Sequence, residues 1–367
     1  MSGKNKPANL GSLITSEDIQ AYYIENPLPA SKAEAHFPLV KSMKTTWKTL
    51  SNTELKMNEA ADPISMNSSV PVAGRGSFKT IIGEMASFGK GREMDADEIE
   101  RFEILKMDFA QLQNANAAAA LINHYGGDLD FVRNAMRTEM SYLSWSLFSN
   151  ACNIEFVASN SPYMSGLTAM DYADGMGSWQ KDDTATSWAN AAAEILDDIE
   201  SVRETGKTYG KYFNYIWIND NTLKNIRNNT QIQKYCATLV QNLYSTQAPP
   251  TLSAINAMMS QYFETPIQFV VIDEVVTRAS RDGVKVTANP FQDNVAIFTT
   301  QAQLGHFEWN ALPIEVAAQE TYESFFVVGN YKKIDPNYSK IYAKGRGFPV
   351  IDTYADNFYL KTNAEAW

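Results

Sequence analysis

From residue 67 to residue 151 the chain passes from a glycine-punctuated polar ribbon into two long stretches whose apolar residues recur every three or four positions. The ribbon reads SSVPVAGRGSFKTIIGEMASFGKGRE, with glycines at 74, 76, 83, 89 and 91. Glycine supplies tight turns, and the apolar pieces at 70–72 and 78–82 suit a long two-stranded loop. So few apolar residues cannot close a core, and an isolated two-stranded ribbon is marginal in water. Such a ribbon needs a surface to lie on; a flexible surface loop is the plainer alternative.

After the ribbon, Asp95 can cap a helix that places Ile99, Phe102, Leu105, Phe109 and Leu112 on one face and continues over 117–122. Gly126 and Gly127 are expected to separate it from a second helix over about 128–151, which spaces Val132, Met136, Met140, Leu143 and Leu147 at intervals of three and four. That stripe wants a sheet or another helix to cover it. Ahead of the ribbon, the first 66 residues are polar and carry prolines at 7, 27, 29, 38 and 63, so they read as an irregular, extended arm with a brief helical candidate at 16–23.

Strands are expected at 153–158 and 166–172, followed by a polar, acidic linker over 173–186. Ser187 is expected to open a helix that turns Trp188, Ile195, Leu196, Ile199 and Val202 inward and Glu194, Asp197 and Asp198 outward, ending near Gly206. The next pieces alternate: a buried strand at 212–218, helices at 221–228, 231–244 and 252–263, and a second buried strand at 266–273. From Gly283 onward strands and turns dominate, at 295–300, 306–312, 322–328 and in a terminal series over 338–359. A helix-rich middle and a strand-rich end give the α+β class.

Composition narrows this picture. With 367 residues and 44% hydrophobic content the chain can bury a large core, divided between two domains. It has no run of about 18 apolar residues, and its first twenty residues lack the apolar stretch of a signal peptide, which leads to the expectation of a soluble, cytoplasmically made protein. The net charge of -11 argues against wrapping nucleic acid through phosphate contacts. Residues 1–57 carry seven lysines against five acids, leaving the excess of negative charge to the remainder.

Candidate chemistry is mostly absent. Cys152 and Cys236 stand far apart, so buried free thiols are expected rather than a zinc site or a disulfide framework. His36, His124 and His306 are scattered, with no metal-ligand spacing, and read as structural or solvated. Gly83 followed by Gly89-Lys90-Gly91 is one residue too long for a phosphate loop, and Gly91 stands where Ser or Thr would hold magnesium. Neither a nucleophile elbow nor a dinucleotide fingerprint occurs. The acid pairs Asp182-Asp183 and Asp197-Asp198 read as solvated surface, since adjacent residues on a helix diverge by about 100°. No catalytic, cofactor-binding or metal-binding residue is therefore expected, and the chain does not read as an enzyme.

The order of pieces resembles the major capsid protein of tailed bacteriophages, with the Hong Kong 97-type fold in a lambda-like variant. The resemblance covers about 67–367 and rests on the extended loop, the long helix at 128–151, Asp171-Tyr172, Trp188 with AAAEILDDIESV, YIWINDNTLKNIRNN, FVVIDEVV, VAIFTTQAQLGHFEWNALPIE and NYKKIDPNYSKIYAKGRGFPVIDTYADNFYLKT, in which Pro349 would open the last pair of strands. It implies an N-terminal arm (1–66), an extended loop (67–95), a peripheral domain with a spine helix (96–183), an axial domain (184–294) and return strands (295–367). It further implies a subunit of the icosahedral shell around a double-stranded DNA genome, made and assembled in the host cytoplasm and ending in the virion. Its partners would be its own copies in hexamers and pentamers, together with a scaffold, a portal and decoration proteins.

The loop would lie over a neighbouring subunit through Val72, Arg75, Phe78, Lys79, Ile81, Phe88, Lys90 and Arg92, and the arm would reach across a second neighbour. Some family members link subunits covalently through a loop lysine and a distant asparagine. Lys79 and Lys90 are the lysines of this ribbon, but no asparagine or catalytic acid is identified, so such crosslinking is not expected. A cleaved internal scaffold is not expected either, because the N-terminus has no long charged helical prefix. Two readings from other classes stand beside this one: an encapsulin-like compartment shell, and an enzyme of unfamiliar α+β fold, which would need a cleft of convergent titratable groups.

Overall fold

Alternation of buried and exposed positions along one long strand organises the first half of the structure. The computed structural model describes residues 31–52, 78–94, 96–101, 104, 115–155, 169–171, 176–239, 249–279, 285–314, 320–333 and 338–367. Its strands and helices, in chain order, are Leu39–Ser42 (β1), Thr46–Asn52 (β2), Phe78–Glu84 (β3), Ala86–Met94 (β4), Ala115–Ser149 (α1), Asn153–Glu155 (β5), Ala169–Asp171 (β6), Lys181–Asp183 (β7), Ile195–Thr208 (α2), Tyr215–Asn219 (β8), Asp220–Asn228 (α3), Thr230–Leu239 (α4) and Leu252–Tyr262 (α5). They continue with Gln268–Ile272 (β9), Val276–Ala279 (β10), Lys285–Ala288 (β11), Val295–Thr299 (β12), Gly305–Asn310 (β13), Thr321–Glu323 (β14), Phe326–Lys333 (β15), Tyr338–Ile351 (β16) and Phe358–Lys361 (β17). Two compact units draw on interleaved segments. The first uses Met1–Trp47, Glu84–Tyr142 and Phe307–Pro349, and the second Lys48–Gly83, Leu143–His306 and Val350–Trp367.

In the first unit β16 is the centre of a sheet ordered β1-β13-β16-β15-β14, and β4 also pairs with β16. Ile341, Ala343, Gly345 and Gly347 of β16 are buried, while Lys340, Tyr342, Lys344 and Arg346 between them are half-buried, the period of two that a one-sided strand requires. The buried face is built of small residues, so α1 can come close. A Cβ on Gly345 would lie 2.9 Å from the Met136 methyl and 3.2 Å from the Phe88 ring. Phe307 packs beside Phe88 and Phe325, with ring centres 6.3 and 5.5 Å away. On α1, Val132, Met136, Met140, Leu143 and Leu147 are all buried, and so are Leu129, Arg133, Trp145 and Phe148, which makes the covered stripe wider than the expected one.

Several expectations need correction here. Gly126 and Gly127 do not break the helix; α1 runs unbroken for 35 residues. Each glycine costs a helix about 1 kcal/mol, which the run of alanines at 117–120 and the packing of the following turns offset. The described part of the arm is not a free extension. Phe37 and Trp47 are buried, Trp47 stacks on Phe348 at 5.5 Å, β1 pairs in parallel with β13, and Glu34 bonds Arg137 at 3.0 Å. Nor is the described part of the ribbon a hairpin of its own: β3 pairs with β2, and β4 joins the sheet through nine paired positions on β16. Burial of Ala86 and Met94, with half-buried Phe88 packed beside Phe307 and Phe325, draws β4 in, whatever the ribbon's low apolar content. Pro349 lies inside β16 rather than opening the last pair.

In the second unit a five-stranded sheet is ordered β7-β17-β12-β8-β9. The parallel step from β8 to β9 is made through α3, α4 and α5, whose apolar faces join Trp188, Ile195, Leu196, Ile199 and Val202 in one core. Side chains fix the helix starts. The Asn219 side chain accepts from the Thr222 N–H at 2.8 Å at the head of α3, and Thr251 accepts from the Ala254 N–H at 3.3 Å at the head of α5. Glu194 does not cap α2; Gln231 from α4 accepts the Leu196 N–H at 3.0 Å instead. Trp145, Phe148, Trp217, Phe291 and Tyr359 form a second aromatic cluster. There α1 ends: Ala151 and Cys152 take left-handed φ of 49° and 61°, and the Cys152 thiol lies 3.0 Å from the Tyr359 hydroxyl.

Two further readings change in this unit. The acidic stretch around 181–183 is a strand and not a linker, because β7 pairs in parallel with β17. The helix expected from Ser187 begins only at Ile195. Residues 187–190 turn instead, and Trp188 reaches the core from there, its indole N–H donating to Asp198 at 2.8 Å. The last turns of the expected helix at 231–244, and the expected helix residues 102, 105, 109 and 112, lie outside the described residues.

Candidate assembly surface

The candidate surface is the ribbon and what surrounds it. Val72 and Arg75 lie outside the described residues. Phe78 and Lys79 stand on β3, with side chains outside the described set, and Ile81 follows them, half-buried. Its neighbour Ile82, which the sequence reading did not single out, is 63% exposed. Phe88 faces the core of the first unit, so it is a packing residue of its own subunit. Lys90 and Arg92 follow at the same period of two and are exposed.

Arg92 is held in place. Its guanidinium bonds the Asp128 carboxylate at 2.9 Å and lies 5.4 Å from the centre of the Phe131 ring, which is itself 43% exposed. Glu93 pairs with Lys340 at 2.8 Å across the β4–β16 ladder. Lys90 has no ion pair among the described residues. A Cβ on Gly89 would meet the Ala343 carbonyl oxygen at 2.9 Å, so the glycine lets β4 approach β16 closely. The outcome is a strip on which Arg92 and Glu93 are paired and Lys90 stands exposed, with the Phe131 ring beside it.

Next to this strip lies a feature that sequence reasoning missed. The turn between β1 and β2 lifts Met43 to 92% exposure, and the backbone N–H of Met85 bonds the Thr45 carbonyl at 3.1 Å. An apolar residue inside the polar stretch KSMKTT was the available signal. Beneath the strip the ladder is backed by buried polar links. Glu320, with no exposed side-chain surface, takes Lys344 at 2.6 Å and the Tyr342 hydroxyl at 2.6 Å.

His306 bonds Asp352 at 2.8 Å beside the turn where Thr353 donates to the Leu304 carbonyl. Both cysteines are buried and free, and burial pushes the Cys236 thiol above its ordinary range. Among the described residues no group of three or more His, Cys, Asp or Glu is placed to hold a metal ion. The depression lined by Arg203, Lys207, Lys211, Phe213 and Thr265 has a volume of ≈ 10 Å³, room for about one water. No described helix is long and apolar enough to cross a membrane.

No family model matches the sequence, and no curated protein matches it. Solved structures do match over nearly the whole chain. A putative capsid protein of a prophage of E. coli CFT073 is similar with a TM-score of 0.55 at 14% identity, covering 95% of this chain and 98% of its own. The capsid protein in the asymmetric unit of cyanophage A-1(L) is similar with a TM-score of 0.52 at 11% identity, covering 93% and 94%. A phage-related protein of Bordetella bronchiseptica RB50 is similar with a TM-score of 0.50 at 10% identity, covering 95% and 97%. The chain therefore has the α+β fold of tailed-phage capsid proteins, the Hong Kong 97-type fold that the order of its sequence elements resembled.

Proposed function

We propose that this chain is the major capsid subunit of a tailed bacteriophage, many copies of which close an icosahedral shell around double-stranded DNA. The observation that carries the proposal is the agreement of fold over 93% of the chain with a capsid protein such as that of cyanophage A-1(L). The ribbon supports it, because Ile82, Lys90 and Arg92 stay exposed along it. In this reading α1 from Asp128 onward is the spine of the subunit, and the segment around Val72, Arg75, Phe78, Lys79 and Ile81 lies over a neighbour in the same hexamer or pentamer. The acidic chain repels packaged DNA, which then slides in without sequence-specific binding. Scaffold, portal and decoration proteins complete the assembly in the host cytoplasm, and the subunit's role is structural, not catalytic.

Deleting the whole ribbon is a poor test, because it also removes Phe88 from the core. Ile82→Asp with Lys90→Glu alters exposed side chains alone. The expected result is a subunit with unchanged melting temperature that sediments as small species. A double variant that closes shells as readily as the unaltered protein would remove the ribbon from the interface.

A further inference from the structure

The strand at one edge of the second unit's sheet has a sequence that pairs readily with copies of itself. β9 ends the order β7-β17-β12-β8-β9, and no strand joins its outer side among the described residues. Over 267–272 the chain reads IQFVVI, with four β-branched residues, one aromatic residue and no charge, proline or glycine. Six-residue segments of that kind, when they present unpaired backbone groups, add strands from other chains. β9 runs parallel to β8, and the Gln268 N–H donates to the Asn214 carbonyl at 3.0 Å. Backbone groups alternate in direction along such a ladder, so Gln268 and Val270 turn theirs to β8 while Phe269 turns its own outward.

A side chain takes that outward pair. Asn256 of α5 accepts the Phe269 N–H on its Oδ1 at 2.8 Å and donates from its Nδ2 to the Phe269 carbonyl at 3.1 Å. One amide thus makes both bonds that a residue of an added strand would make. α5 holds it there, since Ile255, Met258 and Met259 are buried in the unit's core and Thr251 caps the first turn. The opposite edge is closed by similar means. The Thr184 N–H donates to the Lys361 carbonyl at 2.9 Å, which turns Asp183 of β7 away from β17, and the Asp182 carboxylate accepts the Asp183 N–H at 2.9 Å. β7 is also only three residues long, with both aspartates exposed.

We propose that Asn256 is an edge plug: its amide occupies the pairing positions of Phe269, so that a second copy of this chain cannot add a strand to β9. The chemistry of the residue fits the task. An asparagine amide carries a donor and an acceptor in the arrangement of a peptide group, whereas aspartate only accepts and alanine does neither. The plug decides which surfaces of the subunit remain available to its copies, and it excludes a contact that is heterologous and open-ended, the kind that grows into fibres. The inference does not depend on the shell-forming reading, because any chain with an open β9 edge meets its own copies.

Hydrogen exchange, sedimentation and infrared spectroscopy test it. In the unaltered protein the Phe269 amide is expected to exchange slowly despite its place on an outer edge; exchange at the rate of a solvated amide would overturn the plug without any variant. Asn256→Ala is expected to fold and, when dilute, to exchange the Phe269 amide several-fold faster. As its concentration rises it is expected to form larger species that gain an intermolecular β-sheet signal, appear as fibres or irregular clusters in electron microscopy, and protect the Phe269 amide again. Asn256→Asp keeps the bond to the N–H alone and is expected to associate less than Asn256→Ala. A folded Asn256→Ala protein that sediments like the unaltered one at every concentration, or clusters in which the Phe269 amide stays unprotected, would overturn the proposal.

Discussion

Arg133 of α1 and Glu323 of β14 stand 190 residues apart in sequence and are joined by two parallel bonds, Nε to Oε2 at 2.7 Å and Nη2 to Oε1 at 2.6 Å. Asp130, one turn earlier, takes a third guanidinium N–H at 2.9 Å. Burial by itself would lower the Arg133 pKa, yet the hydrogen bonds and charges of Glu323 and Asp130 raise it overall, so the side chain stays charged. The fork ties the β14–β15 hairpin to the helix.

Removing one partner should therefore be costly. Arg133→Met is expected to lower unfolding free energy by about 3 kcal/mol, since the largely buried Glu323 carboxylate loses its counter-charge. Adding Glu323→Met should recover much of that loss, and Arg133→Lys should recover little, because an ammonium lacks the planar fork. Urea midpoints of the four proteins decide it.

Glycines on two strands should separate under the same substitution. At Gly305 a Cβ would lie 1.9 Å from the Val350 carbonyl oxygen and 2.9 Å from the Ile351 Cα, so backbone must move. Gly305→Ala is expected to cost about 3 kcal/mol or more, or to prevent folding. At Gly345 the nearest atom is the end of the flexible Met136 side chain, and Gly345→Ala is expected to cost about 1 kcal/mol. Equal losses in thermal unfolding would contradict the packing described for α1 on β16.

Gly127 is the opposite case. It sits inside α1, and a Cβ there would meet nothing within 4 Å. Gly127→Ala is expected to stabilise the subunit by about 0.5–1 kcal/mol, by removing a flexible residue from a helix interior. A loss of stability on thermal melting would mean that this part of the helix is less regular than described.

That pair of glycines also shows where the sequence was legible and where it was not. The spacing of Val132, Met136, Met140, Leu143 and Leu147 marked a buried helix face, because a strong 3.6-residue period has no other stable reading. Glycine punctuation, by contrast, is a local signal that neighbouring alanines and distant packing overrode. Strands β8 and β9 were legible as unbroken apolar runs, whereas β7, with the sequence Lys-Asp-Asp, has no apolar residue to announce it and exists because β17 offers it a ladder. Trp188 was correctly placed inside but on the wrong element, since burial of a large ring does not require a helix. On the candidate surface Lys90 and Arg92 could be named from the ribbon. Met43 and Ile82 could not, because exposure of an apolar side chain is decided by the rest of the fold.

Asp198 gives a pH-dependent expectation. Burial, opposed by the Trp188 hydrogen bond and aided by Asp197, Glu194 and Asp182, raises its pKa in the folded subunit. The folded state then holds the proton more tightly than the unfolded chain, so this group's contribution to stability falls as pH rises from the ordinary aspartate pKa, about 3.9, through the raised folded value. Asp198→Asn keeps an acceptor for the indole and removes the titration. The expected outcome is greater stability at neutral pH and a weaker decline of unfolding free energy across that window. An unchanged pH profile would show that Asp198 titrates normally.

Electron microscopy of the purified protein, expressed alone and with its neighbouring genes and paired with its sedimentation, tests the proposed role most directly. The expected result is closed shells, or rings that correspond to their pentamers and hexamers, with DNA inside the particles formed during infection. A discrete monomer or dimer under every condition, including co-expression, would contradict a shell-forming subunit.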